Sequence, residues 1–177
     1  MALRWIDRAQ AVDVFVEFGV GNRESKADIA KAISARWDRS PAPVHLRCDE
    51  SYSVHAAVAR MLGPLLTEGH DEGIFWATDF GWSQAEDREI LDALLIRSGP
   101  GASLFNAFRF DASDGALLKA FIRISLDFDY DVVIVRPDHQ LVVHIDHDQW
   151  IDLYCATGAL TAEVESCVAH YRHSAAN

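Results

Sequence analysis

One segment near the carboxyl end constrains the fold more than any other part of the chain. Residues 130–135 read YDVVIV, and a run that is apolar on both sides is typical of a central strand. Turn-forming residues follow at 137–140, and the alternation after them places Leu141, Val143 and Ile145 on one side of a second strand. A further short strand is expected at 150–154. The segment therefore predicts a hairpin with room for a third strand.

Other segments carry apolar residues at the spacing of helices or strands. Helices are predicted at residues 25–37, 53–66, 83–95, 111–124 and 161–171. Strands are predicted at residues 44–47 and 73–79. Residues 5–18 fit a helix or a helix followed by a strand, and residues 103–110 fit a strand or a loop. The pattern predicts an α+β fold, with helices packed on one face of a mainly antiparallel sheet, a C-terminal β-hairpin and a final helix.

Length and composition favour one domain in a reducing compartment. The chain has 177 residues, half of them hydrophobic, and no linker or repeat divides it, so a single domain over residues 1–177 is expected. The three cysteines are an odd number without a CxxC pair, which argues against a disulfide framework. No apolar run approaches the length of a membrane span. We therefore expect a cytoplasmic protein.

The negative charge is concentrated in the segment that contains the hairpin. Residues 127–152 hold seven aspartates against one arginine, a net charge of −6 out of −11 for the whole chain. Such a surface repels nucleic acid and anionic lipid and attracts basic proteins and metal cations. The sequence thus predicts a protein partner, no nucleic-acid partner and no membrane partner. Plain solubility also accounts for an acidic composition.

The pattern His144-Ile-Asp146-His-Asp148 is the sharpest chemical signal. On a strand His144, Asp146 and Asp148 would project from one side, where an imidazole and two carboxylates could hold a borderline divalent ion. A metal-dependent hydrolase is the function that such a site would support. The spacing matches neither HExxH nor paired CxxC motifs, and histidines and aspartates at strand ends also stabilise turns or lie in solvent.

Motifs for other kinds of catalysis are not found in the sequence. There is no GxSxG elbow and no GxxxxGK[ST] loop, and Gly19-Val-Gly21 lacks the third glycine of a dinucleotide-binding loop. Cys48 is followed by Asp49 and Glu50, whose charges would raise the pKa of a thiol and oppose its activation. The sequence predicts no cofactor and no catalytic residue, and it favours a binding protein over an enzyme.

The segments 76–82 (WATDFGW) and 128–154 resemble immunity-type proteins of bacterial polymorphic or contact-dependent toxin systems. The resemblance covers about the last 80 residues and is carried by Asp129, Asp131, His147, Asp148, Trp150 and Asp152. It implies an inhibitor that meets a basic toxin domain through an acidic surface with aromatic anchors. The partner-binding residues would be Asp129, Asp131, Asp146, Asp148, Trp150 and Trp82. Core packing is the alternative role for both tryptophans.

Overall fold

The computed structural model describes residues 4–7, 10–11, 43–48, 51–67, 72–79, 107–136, 138 and 140–175. Its strands are β1 (Arg4–Ile6), β2 (Val44–Arg47), β3 (Gly73–Asp79), β4 (Ala107–Phe110), β5 (Asp131–Val135), β6 (Leu141–Ile145) and β7 (Trp150–Cys155). The strands form one sheet in the order β1-β4-β3-β5-β6-β7-β2. Every neighbouring pair is antiparallel.

The three α-helices whose ranges the structure describes from end to end pack on the same face of this sheet, which we call the helical face. They are α1 (Tyr52–Thr67), α2 (Gly115–Asp127) and α3 (Gly158–Ala175), and a 3-10 turn (Ala112–Asp114) precedes α2. Leu62, Leu118 and Val164, one from each helix, are fully buried in one cluster with Ile134 and Val143 from the central strands. The predicted α+β class and the final helix after the strands are confirmed.

An aromatic cluster fills the helical face beneath α2. The rings of Phe75 and Phe108 stack with centroids 4.8 Å apart, and Phe121 from α2 lies 4.8 Å from Phe108. Trp5 from β1 meets Phe108 edge-on at 5.6 Å. Aromatic pairs at these separations contribute about 0.5–1.5 kcal/mol beyond the burial of their area. The cluster joins β1, β3 and β4 to α2.

The opposite face of the sheet, which we call the second face, is also apolar at its centre. Ile74, Trp76, Val133, Val135 and Val142 are all at most 4% exposed there. Strand β5 is thus buried on both faces, as its continuous apolar run predicts, and it is the fourth of the seven strands.

The prediction for the start of the chain is wrong at residues 5 and 6. These residues belong to a strand, and helical residues come later, at Gln10 and Ala11. Asp7 separates the two elements, because its carboxylate accepts from the Gln10 backbone N–H at 2.8 Å while its own N–H donates to Gln10 Oε1 at 3.1 Å. This reciprocal capping box places the start of the helix at Asp7.

The other local predictions fall into two groups. Strands β2 and β3 have the predicted bounds, α1 and α2 agree with prediction to within a few residues, and residues 107–110 of the ambiguous segment are strand β4. The helices predicted at 25–37 and 83–95 lie outside the described residues. None of the helices in the described ranges is long and apolar enough to cross a membrane.

Candidate partner-binding surface

The four predicted partner-binding aspartates lie at one end of the sheet. Asp129 precedes β5 and Asp131 begins it, and Asp146 and Asp148 follow β6 in the turn to β7. Antiparallel pairing brings the start of β5 next to the end of β6, since Val132 is opposite Ile145. We call these four residues the acidic end.

A tight turn from Asp146 to Gln149 shapes this end. The Asp146 N–H donates to the Trp150 carbonyl at 2.8 Å, and the Gln149 N–H donates to the Asp146 carbonyl at 2.9 Å. The Asp146 side chain also accepts from the Asp148 N–H at 2.8 Å. Gln149 takes a left-handed conformation with φ of 64°, as hairpins with a type I turn and a following bulge require. These bonds hold the backbone of the turn and the Asp146 carboxylate in defined positions.

Hydrogen bonds connect the turn to Asp131 at the start of β5 and to Asp129 before it. Both the backbone N–H and the ring Nδ1 of His147 lie within 2.9 Å of Asp131 Oδ1. Gln149 Nε2 donates to Asp129 Oδ1 at 3.2 Å, and Asp129 is also left-handed, with φ of 52°. The two acidic segments therefore form one connected surface rather than two independent loops.

The carboxylates shift the titration of the imidazole between them. The hydrogen bond that the imidazole donates to the Asp131 carboxylate raises the pKa of His147 above its ordinary value, partial burial opposes this, and the charges of Asp131, Asp146 and Asp148 add to the increase. The charge of His147 therefore depends on pH, and below its pKa the imidazole is a cation among the carboxylates of the acidic end.

The His147→Gln variant is expected to lose stability mainly in acid. Because the folded pKa is raised, the contribution of His147 is fully present below the unfolded pKa of about 6.5 and is lost as the pH rises through the folded value. The histidine side chain is 44% exposed, so the difference in free energy of unfolding should stay below about 1 kcal/mol. Urea unfolding at about pH 5.5 and 8.5 measures it, with His170→Gln as control. If the free energies of unfolding of the variant and the wild type differed more at high pH than at low pH, the raised pKa of His147 would be contradicted.

The acidic groups at the opposite end of the sheet lie beside arginines. Arg4 pairs with Glu72 and, at 3.0 Å, with Asp111, while Arg136 holds Asp138 at 2.7 Å. At the acidic end, by contrast, Asp129, Asp146 and Asp148 have no arginine or lysine within 4 Å among the residues that the structure describes. Among the described residues, the carboxylates that pair with arginine thus lie at one end of the strands, and Asp129, Asp146 and Asp148 lie at the other end.

Asp127, close in sequence to the acidic end, is neutralised internally. Its carboxylate contacts Nδ1 of the buried His55 at 2.8 Å and Nε of Arg123 at 3.3 Å. His55 belongs to α1 and Asp127 ends α2, so the pair joins the two helices. The sequence did not indicate this pair, because 72 residues separate its members.

Trp150 is an exposed aromatic residue beside the acidic end. It is 43% exposed, the highest value for a large hydrophobic residue within the described ranges. Arg47, its register partner on β2, places its guanidinium 5.4 Å from the indole centroid. A cation–π contact at an exposed site contributes about 0.5–1 kcal/mol and orients the ring. Trp82, the second predicted anchor, lies outside the described residues.

The predicted metal ligands are distributed over two places. Asp146 lies with Asp131 and His147 in a group whose ligand atoms are all within 4.8 Å of one another. His144 lies on β6 opposite Asp152, and Asp148 lies exposed in the turn. The common side that we expected for the three residues depended on a strand through Asp148, whereas β6 ends at Ile145. Residues 146–149 read Asp-His-Asp-Gln, and the two aspartates favour a turn, which indicates that β6 ends before them.

Comparisons with other proteins do not assign a family. No protein-family model, no curated protein and no solved structure matches the chain.

Proposed function

We propose that this chain is a cytoplasmic binding protein of the immunity type, which inhibits a cognate toxin by covering a basic surface with its acidic end. The observation that carries the proposal is that Asp129, Asp146 and Asp148 have no arginine or lysine within 4 Å among the described residues, whereas Glu72, Asp111 and Asp138 at the other end of the sheet pair with arginines. A basic partner would supply the missing charges. Complementary fields of this kind accelerate association and select the partner.

The rigidity of the turn and the position of Trp150 support the same proposal. Carboxylates that are already ordered by backbone hydrogen bonds lose little conformational freedom when a partner binds. Trp150 supplies an aromatic anchor next to them, and tryptophan is enriched among the residues that dominate binding energy. In this mechanism the protein acts by occupying the toxin's surface and needs no catalytic residue.

Co-expression tests the proposal directly. A toxin domain encoded beside the gene for this chain should kill cells when it is produced alone and should be tolerated when both proteins are produced. Purified mixtures should then contain a complex whose association slows as ionic strength rises. Death of the cells with every neighbouring toxin tried would contradict the proposal.

A metal-dependent hydrolase is the second candidate function, for which the sequence pattern suggests His144, Asp146 and Asp148. The observation that favours a metal at this end of the sheet is the group of Asp131, Asp146 and His147. A bound ion would lower the pKa of a coordinated water. Stoichiometric metal in the purified chain that disappears in the His147→Asn variant would favour this function over inhibition.

A further inference from the structure

On the second face, His144, Asp152 and His45 lie on β6, β7 and β2, the three strands nearest the β2 edge. Register places Ala107, Trp76 and Val133 in one row across β4, β3 and β5, and all three are buried. The same row continues through His144 on β6, Asp152 on β7 and His45 on β2. Register partners on neighbouring strands project from the same face, so this end of the row presents two imidazoles with a carboxylate between them.

Contacts along the row show that the side chains of His45 and Asp152 touch each other and can be reached from solvent. Nδ1 of His45 lies 2.6 Å from Asp152 Oδ1, and the hydroxyl of Tyr154 donates to Asp152 Oδ2 at 3.4 Å. The side chain of His45 is 59% exposed and that of Asp152 is 25% exposed. Arg172 of α3 donates to the His45 carbonyl at 3.1 Å, which holds the backbone of β2 in place at this position. An ion could therefore reach an ordered carboxylate from solvent.

We propose that His45, Asp152 and His144 bind a borderline divalent transition metal of the Zn²⁺, Co²⁺ or Ni²⁺ class. Two histidines and one carboxylate are a ligand set that suits these ions and leaves positions for water or a further ligand. With strands about 4.8 Å apart, the two histidine backbones are about 10 Å apart, and each imidazole has to cover about half of that distance. His45 already does so, since its ring touches Asp152.

Binding requires one rearrangement. The ligand atoms of the row are not all within 4.8 Å of one another, a condition that only Asp131, Asp146 and His147 meet among the described residues. The imidazole of His144 would turn toward Asp152, and the ion would replace the hydrogen bond between His45 and Asp152. The Tyr154 hydroxyl would remain on the second carboxylate oxygen, the outer-shell contact that orients a ligating carboxylate. This site is separate from the acidic end and does not depend on the proposed inhibition.

Titration of Co²⁺ and Zn²⁺ into the metal-free full chain at about pH 7.5 tests the proposal. Visible absorption of Co²⁺ should saturate at about one equivalent and should disappear when Zn²⁺ is added. His45→Gln, His144→Gln and Asp152→Asn should each weaken binding at least about 10-fold. His170→Gln removes an exposed imidazole elsewhere and should leave binding unchanged. Circular dichroism checks the fold of each variant, and His45→Gln is the most informative because His45 is exposed.

Two results would overturn the proposal. One is the absence of binding up to about millimolar metal, which corresponds to less than about 4 kcal/mol of binding free energy. The other is binding that is unchanged in His45→Gln, His144→Gln and Asp152→Asn. If His147→Asn removes that binding, the ion lies at the group of Asp131, Asp146 and His147 instead.

Discussion

The double variant Asp129→Asn, Asp148→Lys is expected to associate with a basic partner about 10-fold or more slowly than the wild type at low ionic strength. Both residues are exposed and lack an arginine or lysine within 4 Å in the described part of the chain, so their charge acts on an approaching partner. Asparagine is chosen at position 129 because it tolerates the left-handed backbone there. Stopped-flow association with the toxin that co-expression identifies would measure the rate.

A matched control separates the acidic end from net charge. Glu163→Gln, Glu165→Lys changes the charge of the chain by the same amount at two exposed positions of α3. This variant should associate at nearly the rate of the wild type. The association rates of the two double variants should become more similar as added salt shortens the Debye length, which is about 3 Å at 1 M. Equal slowing by both pairs would show that the location of the charge is irrelevant and would contradict the proposed surface.

Gly73→Ala is expected to lower the free energy of unfolding by about 1–3 kcal/mol, the usual cost of overpacking a core. Gly73 begins β3 opposite Phe110 of β4, and the Phe110 ring covers the glycine. A Cβ atom at this position would lie 2.3–2.8 Å from three ring carbons, much closer than van der Waals contact. Phe110 is fully buried, so its ring has no open space into which it could move.

Gly115→Ala is the control for this substitution. Gly115 has right-handed helical angles at the start of α2, and a Cβ atom there would meet only Thr67 atoms at 3.7 Å or more. Alanine in such a position should be neutral or should stabilise the fold by up to about 1 kcal/mol. Urea unfolding of both variants measures the contrast. Equal stability of the two variants would mean that the Phe110 ring adapts to the added methyl group.

Local patterns predicted the elements that carry the acidic end. The alternation at Leu141, Val143 and Ile145 and the apolar run before it identified β6 and β5, and the spacing of apolar residues identified α1 and α3. These predictions hold because the local backbone geometry of a helix or strand alone determines which side chains share a face. The sequence also placed the aspartates at strand ends. It did not predict the direction of the turn after Ile145, which brings His147 back to Asp131.

The sequence by itself determined the class of the fold, the central position of β5 and the concentration of negative charge around one hairpin. Only the tertiary structure decided which charges are compensated and which distant residues meet. Arg4 reaches Asp111, and His45 reaches Asp152, across 107 residues in each case. Such contacts follow from the order of the strands in the sheet, with β1 beside β4 and β2 beside β7. The order of the strands results from burying the apolar faces of all the strands together. It cannot be deduced from the spacing of apolar residues within a single segment.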